Sequence, residues 1–118
     1  MAGELSLESV IPTYLGVDIP LVGYGTYKVG ASPASTTIKY VPDRSTVDVV
    51  MDALQAGYRM FDCAEYYINE EGIGEAIARS KIPRKELFIV SKVWNTTLYE
   101  GEAAIRKTVT ATLKALRE

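Results

Sequence analysis

The stretch of residues 57–92 constrains the fold more than any other part of this chain. Two short apolar runs end in the charged residues Asp62 and Lys92, and residues 69–80 between them have helical spacing. A strand, a helix and a strand in this order form the unit that builds parallel sheets. Because both strands of such a unit run the same way, we expect Asp62 and Lys92 to lie side by side at one edge. Tyr67, in the loop after the first strand, can join them, so these groups predict a proton-transfer site.

Composition narrows the class of protein. The 118 residues suit one domain, and the net charge of −2 gives no electrostatic reason to expect nucleic acid or an anionic membrane as a partner. No stretch approaches the roughly 18 apolar residues that a membrane helix needs, and the acidic start is unlike a secretory signal. The single cysteine, Cys63, suits a reducing compartment, so we expect a cytoplasmic protein.

Two kinds of site are not supported by the residues present. Asp62 with Glu65 is too small a group to predict a metal site. The chain contains no histidine, so a mechanism that needs an imidazole must take it from outside these residues.

The first part of the chain predicts a hairpin, a strand and a long loop. Gly and Pro in residues 12–16 predict a turn between two strands, at residues 5–11 and 17–24. Residues 21–28 are typical of a strand that carries glycines. Residues 31–42 lack periodicity, and a loop of this length in a compact domain is either functional or mobile.

Three helices are predicted from apolar residues at helical spacing. The first begins at Asp43 or Ser45 and ends at Gly57, and the second has Asn69 as its N-cap. A short apolar strand at residues 87–90 follows. The third helix is marked by the apolar stripe of Ile105, Val109, Leu113 and Leu116. This alternation fits either a small open α/β domain or the first three units of a (β/α)8 barrel.

Three motifs resemble those of the aldo-keto reductase family. They are residues 57–64 (GYRMFDCA) followed by Glu70, residues 90–95 (VSKVWN) and residues 23–28 (GYGTYK). The resemblance implies an α/β fold that is the N-terminal portion of a TIM (β/α)8 barrel, with an opening hairpin and three β/α units. Residues 1–118 would then be a single, incomplete domain of an NADP-dependent oxidoreductase.

The resemblance also implies a catalytic set. Asp62, Tyr67 and Lys92 match the family's aspartate, tyrosine and lysine in order and spacing. The family's histidine lies at the end of the fourth barrel strand, which this chain does not reach. The implied reaction is reduction of aldehyde or ketone carbonyls to alcohols, with hydride from NADPH and a proton from Tyr67.

A cofactor and substrate region is implied by the same matches. Gly25, Thr26, Tyr27 and Asp62 match positions near the nicotinamide, and Tyr27 and Trp94 match the substrate pocket. The implied partner is a small carbonyl compound, and we expect the full-length parent to be a monomer.

The chemistry of the set is physically reasonable. Carbonyl reduction needs a hydride at carbon and a proton at oxygen, and the cofactor supplies the hydride. An ammonium beside a phenol stabilises the phenolate that remains after proton donation. Asp62 would pair with Lys92 and hold it charged and oriented.

Other interpretations remain open for the residues and for the protein. Asp62 could cap a loop, Lys92 could be a solvated charge, and either Tyr66 or Tyr67 could serve only packing. A non-catalytic regulatory subunit with the same barrel is the alternative to an enzyme. We also expect the 118-residue chain to lack a stable, active monomer, because a partial barrel leaves strand edges unpaired. The apolar residues that would lose the far wall of the barrel are then Leu21, Val22, Phe61 and Ile89.

Overall fold

The fold is a parallel sheet covered on one side by helices and preceded by a hairpin. The computed structural model describes residues 3–30 and 44–117. Within these ranges the strands are β1 (Val10–Pro12), β2 (Asp18–Pro20), β3 (Gly23–Gly25), β4 (Met60–Asp62) and β5 (Phe88–Val90). The helices are α1 (Thr46–Ala56), α2 (Glu70–Ser80), α3 (Asn95–Glu100) and α4 (Glu102–Leu116).

The sheet topology is that of consecutive β/α units. Strands β3, β4 and β5 are parallel and lie in chain order, while β1 and β2 form a separate antiparallel pair. Two neighbouring parallel strands must be joined by a crossover connection, and α1 and α2 supply the two crossovers in this sheet. The predicted hairpin and the predicted alternation of strands and helices are therefore both present.

Strand register decides which residues face the helices. Tyr24, Phe61 and Ile89 are paired across the sheet, and the next row is Gly25, Asp62 and Val90. Phe61 is fully buried in the core cluster, and Ile89 packs against that cluster. Since successive side chains point to opposite faces, Asp62 lies on the face away from the helices.

Our expectation that Phe61 and Ile89 face the barrel interior is therefore wrong. Both belong to the layer between the sheet and the helices, so a missing far wall does not expose them. The expectation overlooked the alternation of side chains along β4: a strand that presents Asp62 toward the barrel interior turns Phe61 toward the helices.

The main core lies between the sheet and helices α1, α2 and α4. It contains Val50, Ala53, Leu54, Phe61, Cys63, Ile73, Ala76, Ile77, Leu87 and Leu116. The first two predicted helices bury their apolar stripes here, as amphipathic helices on a sheet must. Helices α2 and α4 approach closely at Gly74, where an added Cβ would lie 2.0 Å from the carbonyl oxygen of Ala115.

Helix α1 begins and ends where its sequence predicts. The Ser45 hydroxyl accepts a hydrogen bond from the backbone N–H of Asp48 at 3.2 Å. Gly57 terminates the helix with φ of 108°, in the left-handed region that glycine adopts without a steric penalty. Asp43, the other predicted cap, lies outside the described residues, as does the predicted loop at residues 31–42.

Asn69 occupies the N-cap position of α2, but its side chain does not cap the helix. Its amide nitrogen donates instead to the backbone carbonyls of Thr26, at 2.8 Å, and Val29, at 3.1 Å. Asn69 is buried, so these bonds hold the segment after β3 against the start of α2.

The C-terminal part of the described chain differs from its prediction in two ways. A short helix, α3, precedes α4 and had no counterpart among the predicted elements. The apolar stripe of α4 is also largely uncovered, because Val109 is 42% exposed and Leu113 is 46% exposed, whereas Leu116 is buried. None of the described helices has the length and apolar character needed to cross a membrane.

Candidate active site

An ion pair joins the ends of two neighbouring strands. Lys92 Nζ donates to Asp62 Oδ1 at 2.5 Å and to the carbonyl oxygen of Cys63 at 2.6 Å. Asp62 is the last residue of β4, and Lys92 follows β5 by two residues, so the parallel pairing brings them to one edge. Each side chain remains 47% exposed, which leaves the pair accessible to a bound molecule.

Tyr67 lies against this pair. A single 3₁₀ turn, Glu65–Tyr67, follows β4 and carries the tyrosine back over the strand ends. The Tyr67 N–H donates to the carbonyl of Ala64 at 3.1 Å, which fixes the turn. Lys92 Nζ lies 5.3 Å from the centroid of the Tyr67 ring. The three residues predicted to form a proton-transfer site are therefore adjacent.

The charge state of the lysine follows from its neighbours. Partial burial lowers the pKa of Lys92, but the hydrogen bond and charge of Asp62, together with Tyr67, outweigh it and raise the pKa above its ordinary value. The ammonium form is thus maintained at neutral pH. Within the described ranges, no group of three potential ligands could hold a metal ion.

The two predicted pocket aromatics occupy different places. Tyr27 contacts Tyr67 directly, with ring centroids 5.1 Å apart, and is 47% exposed. Trp94 instead stacks on Tyr66, with ring centroids 4.0 Å apart and planes inclined by 19°. Tyr66 therefore serves packing against Trp94, while Tyr67 belongs to the cluster around Lys92.

Gly25 and Thr26 differ in what they offer a ligand. Gly25 is paired with Asp62, and a Cβ added to it would meet no other atom within 4 Å, so open space lies in front of its backbone. Thr26 is fully buried, and its hydroxyl and N–H both donate to the Asp62 carbonyl, at 2.8 and 3.1 Å. Thr26 thus fixes the strand end that presents Asp62, and a role for it in cofactor binding stays a prediction.

Cys63 is inert in this setting. Its side chain is fully buried, and burial raises the pKa of the thiol to about 12. The reactive form of a cysteine is the thiolate, which is negligible at neutral pH with such a pKa. Cys63 therefore acts as a small core residue beside the site.

Two carboxylates that sequence reasoning did not assign help to assemble the site. Glu70 accepts hydrogen bonds from Ser91, at 2.7 Å, and Thr112, at 3.0 Å, and so connects α2 with α4 and with the segment before Lys92. Glu65 accepts from the Trp94 N–H at 2.8 Å. The only sequence signal for either carboxylate was its position within or next to the motif that contains Asp62 and Tyr67.

Comparison with known proteins gives one consistent result. Residues 21–118 match the model of the aldo/keto reductase family. The chain is 38% identical over 110 residues to aldo-keto reductase family 1 member A1 of Cricetulus griseus, covering 87% of this chain and 30% of that protein. It is also 38% identical over 94 residues to the aldehyde reductase YPR1 of Saccharomyces cerevisiae, covering 80% of this chain and 26% of that protein.

Solved structures show the same similarity in the fold. An aldo/keto reductase of Brucella melitensis superposes with a TM-score of 0.73 at 34% identity, covering 93% of this chain and 38% of that one. An aldo-keto reductase of Bombyx mori in complex with NADP gives a TM-score of 0.73 at 28% identity, covering 95% of this chain and 35% of that one. The fold class is therefore the predicted one, an α/β partial TIM barrel. The chain spans roughly a third of the length of the relatives it matches.

Proposed function

Because this chain belongs to the aldo/keto reductase family, we propose that it forms the proton-donating part of an NADPH-dependent carbonyl reductase. The observation that carries the proposal is the position of Lys92, bonded to Asp62 and placed beside the ring of Tyr67. The chain would supply the first three β/α units, and the complete barrel is called the full-length reductase below.

Tyr67 is the proposed general acid. Its phenol would give a proton to the carbonyl oxygen of the substrate, leaving a phenolate that regains a proton from solvent. The adjacent Lys92 ammonium stabilises this phenolate by its positive charge. Because Asp62 and the Cys63 carbonyl both accept hydrogen bonds from the ammonium, its direction is fixed before substrate arrives.

NADPH is the proposed cofactor, and it supplies the hydride when bound. The residues present leave room for the nicotinamide ring, because a Cβ added to Gly25 would meet no other atom within 4 Å and Gly25 pairs with Asp62. Tyr27 and Trp94 would flank a small aldehyde or ketone and limit access of water to it. Most contacts to the remainder of a dinucleotide would have to come from outside these residues.

The same residues favour an enzyme over a non-catalytic regulatory subunit. A protein that bound a cofactor without catalysing a reaction would not need a lysine oriented by two hydrogen-bond acceptors next to a phenol at one strand edge. We further propose that the full-length reductase is a monomeric cytoplasmic protein, as the sequence predicts.

A pair of lysine variants tests the proposal in the full-length reductase. Lys92→Met should lower kcat/KM for aldehyde reduction at neutral pH by about a hundredfold or more, because preorganised charge contributes on this scale. Lys28→Met is the matched control, since Lys28 Nζ lies 5.2 Å from the centroid of another tyrosine ring, that of Tyr27. We expect the control to stay within about threefold of wild type. Equal losses in both variants, or none in Lys92→Met, would rule out the proposed role of Lys92.

A further inference from the structure

The carboxylate of Glu65 joins the two loops that carry the proposed site residues. Glu65 is the first residue of the 3₁₀ turn that ends at Tyr67. Its Oε2 accepts the backbone N–H of Trp94 at 2.8 Å, and its two oxygens lie 3.1 and 3.3 Å from the hydroxyl of Thr97. Its own N–H donates to the carbonyl of Lys92 at 3.0 Å. One residue of the Tyr67 turn is thus bonded to three positions after β5.

The partners of Glu65 have few other ways to satisfy their donors. Trp94 occupies the position before α3, where a backbone N–H has no acceptor within the helix, and its indole cannot accept a hydrogen bond. Thr97 is buried, so its hydroxyl is shielded from water. A carboxylate makes stronger hydrogen bonds than a neutral acceptor does, and it can serve both donors together.

Aromatic contacts link the residues bonded to Glu65 with the proposed substrate position beside Tyr67. Tyr66, next in the turn, stacks on Trp94, while Tyr67 lies beside Lys92 and contacts Tyr27. The position of the Trp94 ring relative to Tyr67 is therefore set by the carboxylate of Glu65 and by the stack. Together, Glu65, Trp94 and Thr97 are called the Glu65 clamp.

We propose that Glu65 is a positioning residue that fixes Trp94 against the Tyr67 turn and thereby sets which carbonyl substrates fit beside the phenol. The inference rests on the proposed function, because it assigns the shape of that same site. Glu65 is not a catalytic residue, since its oxygens are bonded to Trp94 and Thr97 and not to the reacting groups. Without the carboxylate, the Trp94 loop would move, and a bulky substrate would lose more contacts than a small one.

Three variants of the full-length reductase test the Glu65 clamp. Glu65→Ala should raise KM for a bulky aromatic aldehyde about tenfold while changing KM for a short aliphatic aldehyde by less than threefold, with kcat little changed. Glu65→Gln retains an acceptor oxygen and should restore most of the wild-type KM ratio. Glu71→Ala is the control, because it removes an exposed carboxylate only six residues away. Equal KM changes for both aldehydes in Glu65→Ala would overturn the inference.

A spectroscopic readout separates this inference from the proposed function. With 5-fluorotryptophan incorporated and the Trp94 signal assigned by Trp94→Phe, the ¹⁹F resonance of Trp94 should shift and broaden in Glu65→Ala but not in Glu71→Ala. The shift of the Trp94 resonance is expected even if the wild-type protein reduces no aldehyde. Such a lack of activity would reject the proposed function alone. An unchanged Trp94 resonance would reject the clamp whatever the activity.

A milder variant covers the case in which Glu65→Ala does not fold. Thr97→Val removes one donor of the clamp and preserves the bond between Glu65 and Trp94. It should move the KM ratio and the Trp94 resonance in the same direction as Glu65→Ala by a smaller amount. If Thr97→Val and Glu65→Gln both match wild type in the two readouts while Glu65→Ala is unfolded, the clamp is only a folding element and the inference fails.

Discussion

Gly74 is expected to be intolerant of even one extra carbon atom. A Cβ at this position would lie 2.0 Å from the carbonyl oxygen of Ala115 and 2.9 Å from the Cα of Leu116. Both neighbours are backbone atoms of α4, so no side-chain rotation can relieve the contact. Since carbon and oxygen atoms in contact are normally separated by more than about 3 Å, α2 and α4 would have to move apart by roughly 1 Å or more.

The magnitude follows from two opposing effects of Gly74→Ala. Alanine is favoured over glycine in a helix interior by about 1 kcal/mol. Overpacking of a tight interface costs about 1–3 kcal/mol, and a clash between backbones belongs at the upper end. We therefore expect the free energy of unfolding of the full-length reductase to fall by about 1–2 kcal/mol.

Denaturant unfolding measures this change, and an exposed position on the same helix provides the control. Ala78→Gly should lose about 1 kcal/mol through helix propensity alone, because Ala78 is exposed. If Gly74→Ala leaves the protein as stable as wild type, or makes it more stable, the close packing of α2 on α4 is refuted.

Three further predictions concern charge, capping and completeness. Asp62→Asn removes the main group that raises the pKa of Lys92, so this pKa falls. Because the proposed mechanism needs the charged lysine, the alkaline limb of kcat/KM should move to lower pH, and an unmoved limb would contradict this. Ser45→Ala removes the side-chain acceptor for the Asp48 N–H and should lower the free energy of unfolding by about 1 kcal/mol. Denaturant titration measures this change, and an unchanged free energy would argue against the cap. The isolated 118-residue chain should show neither a cooperative unfolding transition nor NADPH binding, and a monodisperse monomer that binds NADPH at micromolar concentration would show that three units suffice.

The order of elements and the meeting of Asp62 with Lys92 could be predicted from the sequence. Parallel pairing follows from the strand, helix and strand pattern, and chain connectivity then places both residues at one edge. Gly57 was predictable as the end of α1, and Ser45 was one of the two predicted caps, because each meets a local backbone requirement that few residue types satisfy. These features depend on neighbours in sequence or on topology alone.

Features that depend on exact packing could not be predicted. The side chain of Asn69 has a common capping chemistry, yet in the folded chain its amide nitrogen binds the carbonyls after β3 and its oxygen does not cap α2. The facing of Ile89 toward the helices depends on strand register, which the continuous apolar run of residues 87–90 does not reveal. The bonds of Glu65 join residues about 30 positions apart, so only the folded structure could show them.

The most direct test of the central claim is single-turnover reduction of an aldehyde by Tyr67→Phe in the full-length reductase. Loss of a general acid typically lowers the rate by about 10²–10⁴-fold, so NADPH oxidation should slow on this scale. Fluorescence titration should show nearly unchanged NADPH affinity, because the phenol is not proposed to bind the dinucleotide. Tyr66→Phe, one residue earlier in the same turn, keeps the ring that stacks on Trp94 and should react close to the wild-type rate. A Tyr67→Phe rate near wild type would contradict the assignment of Tyr67 as the proton donor.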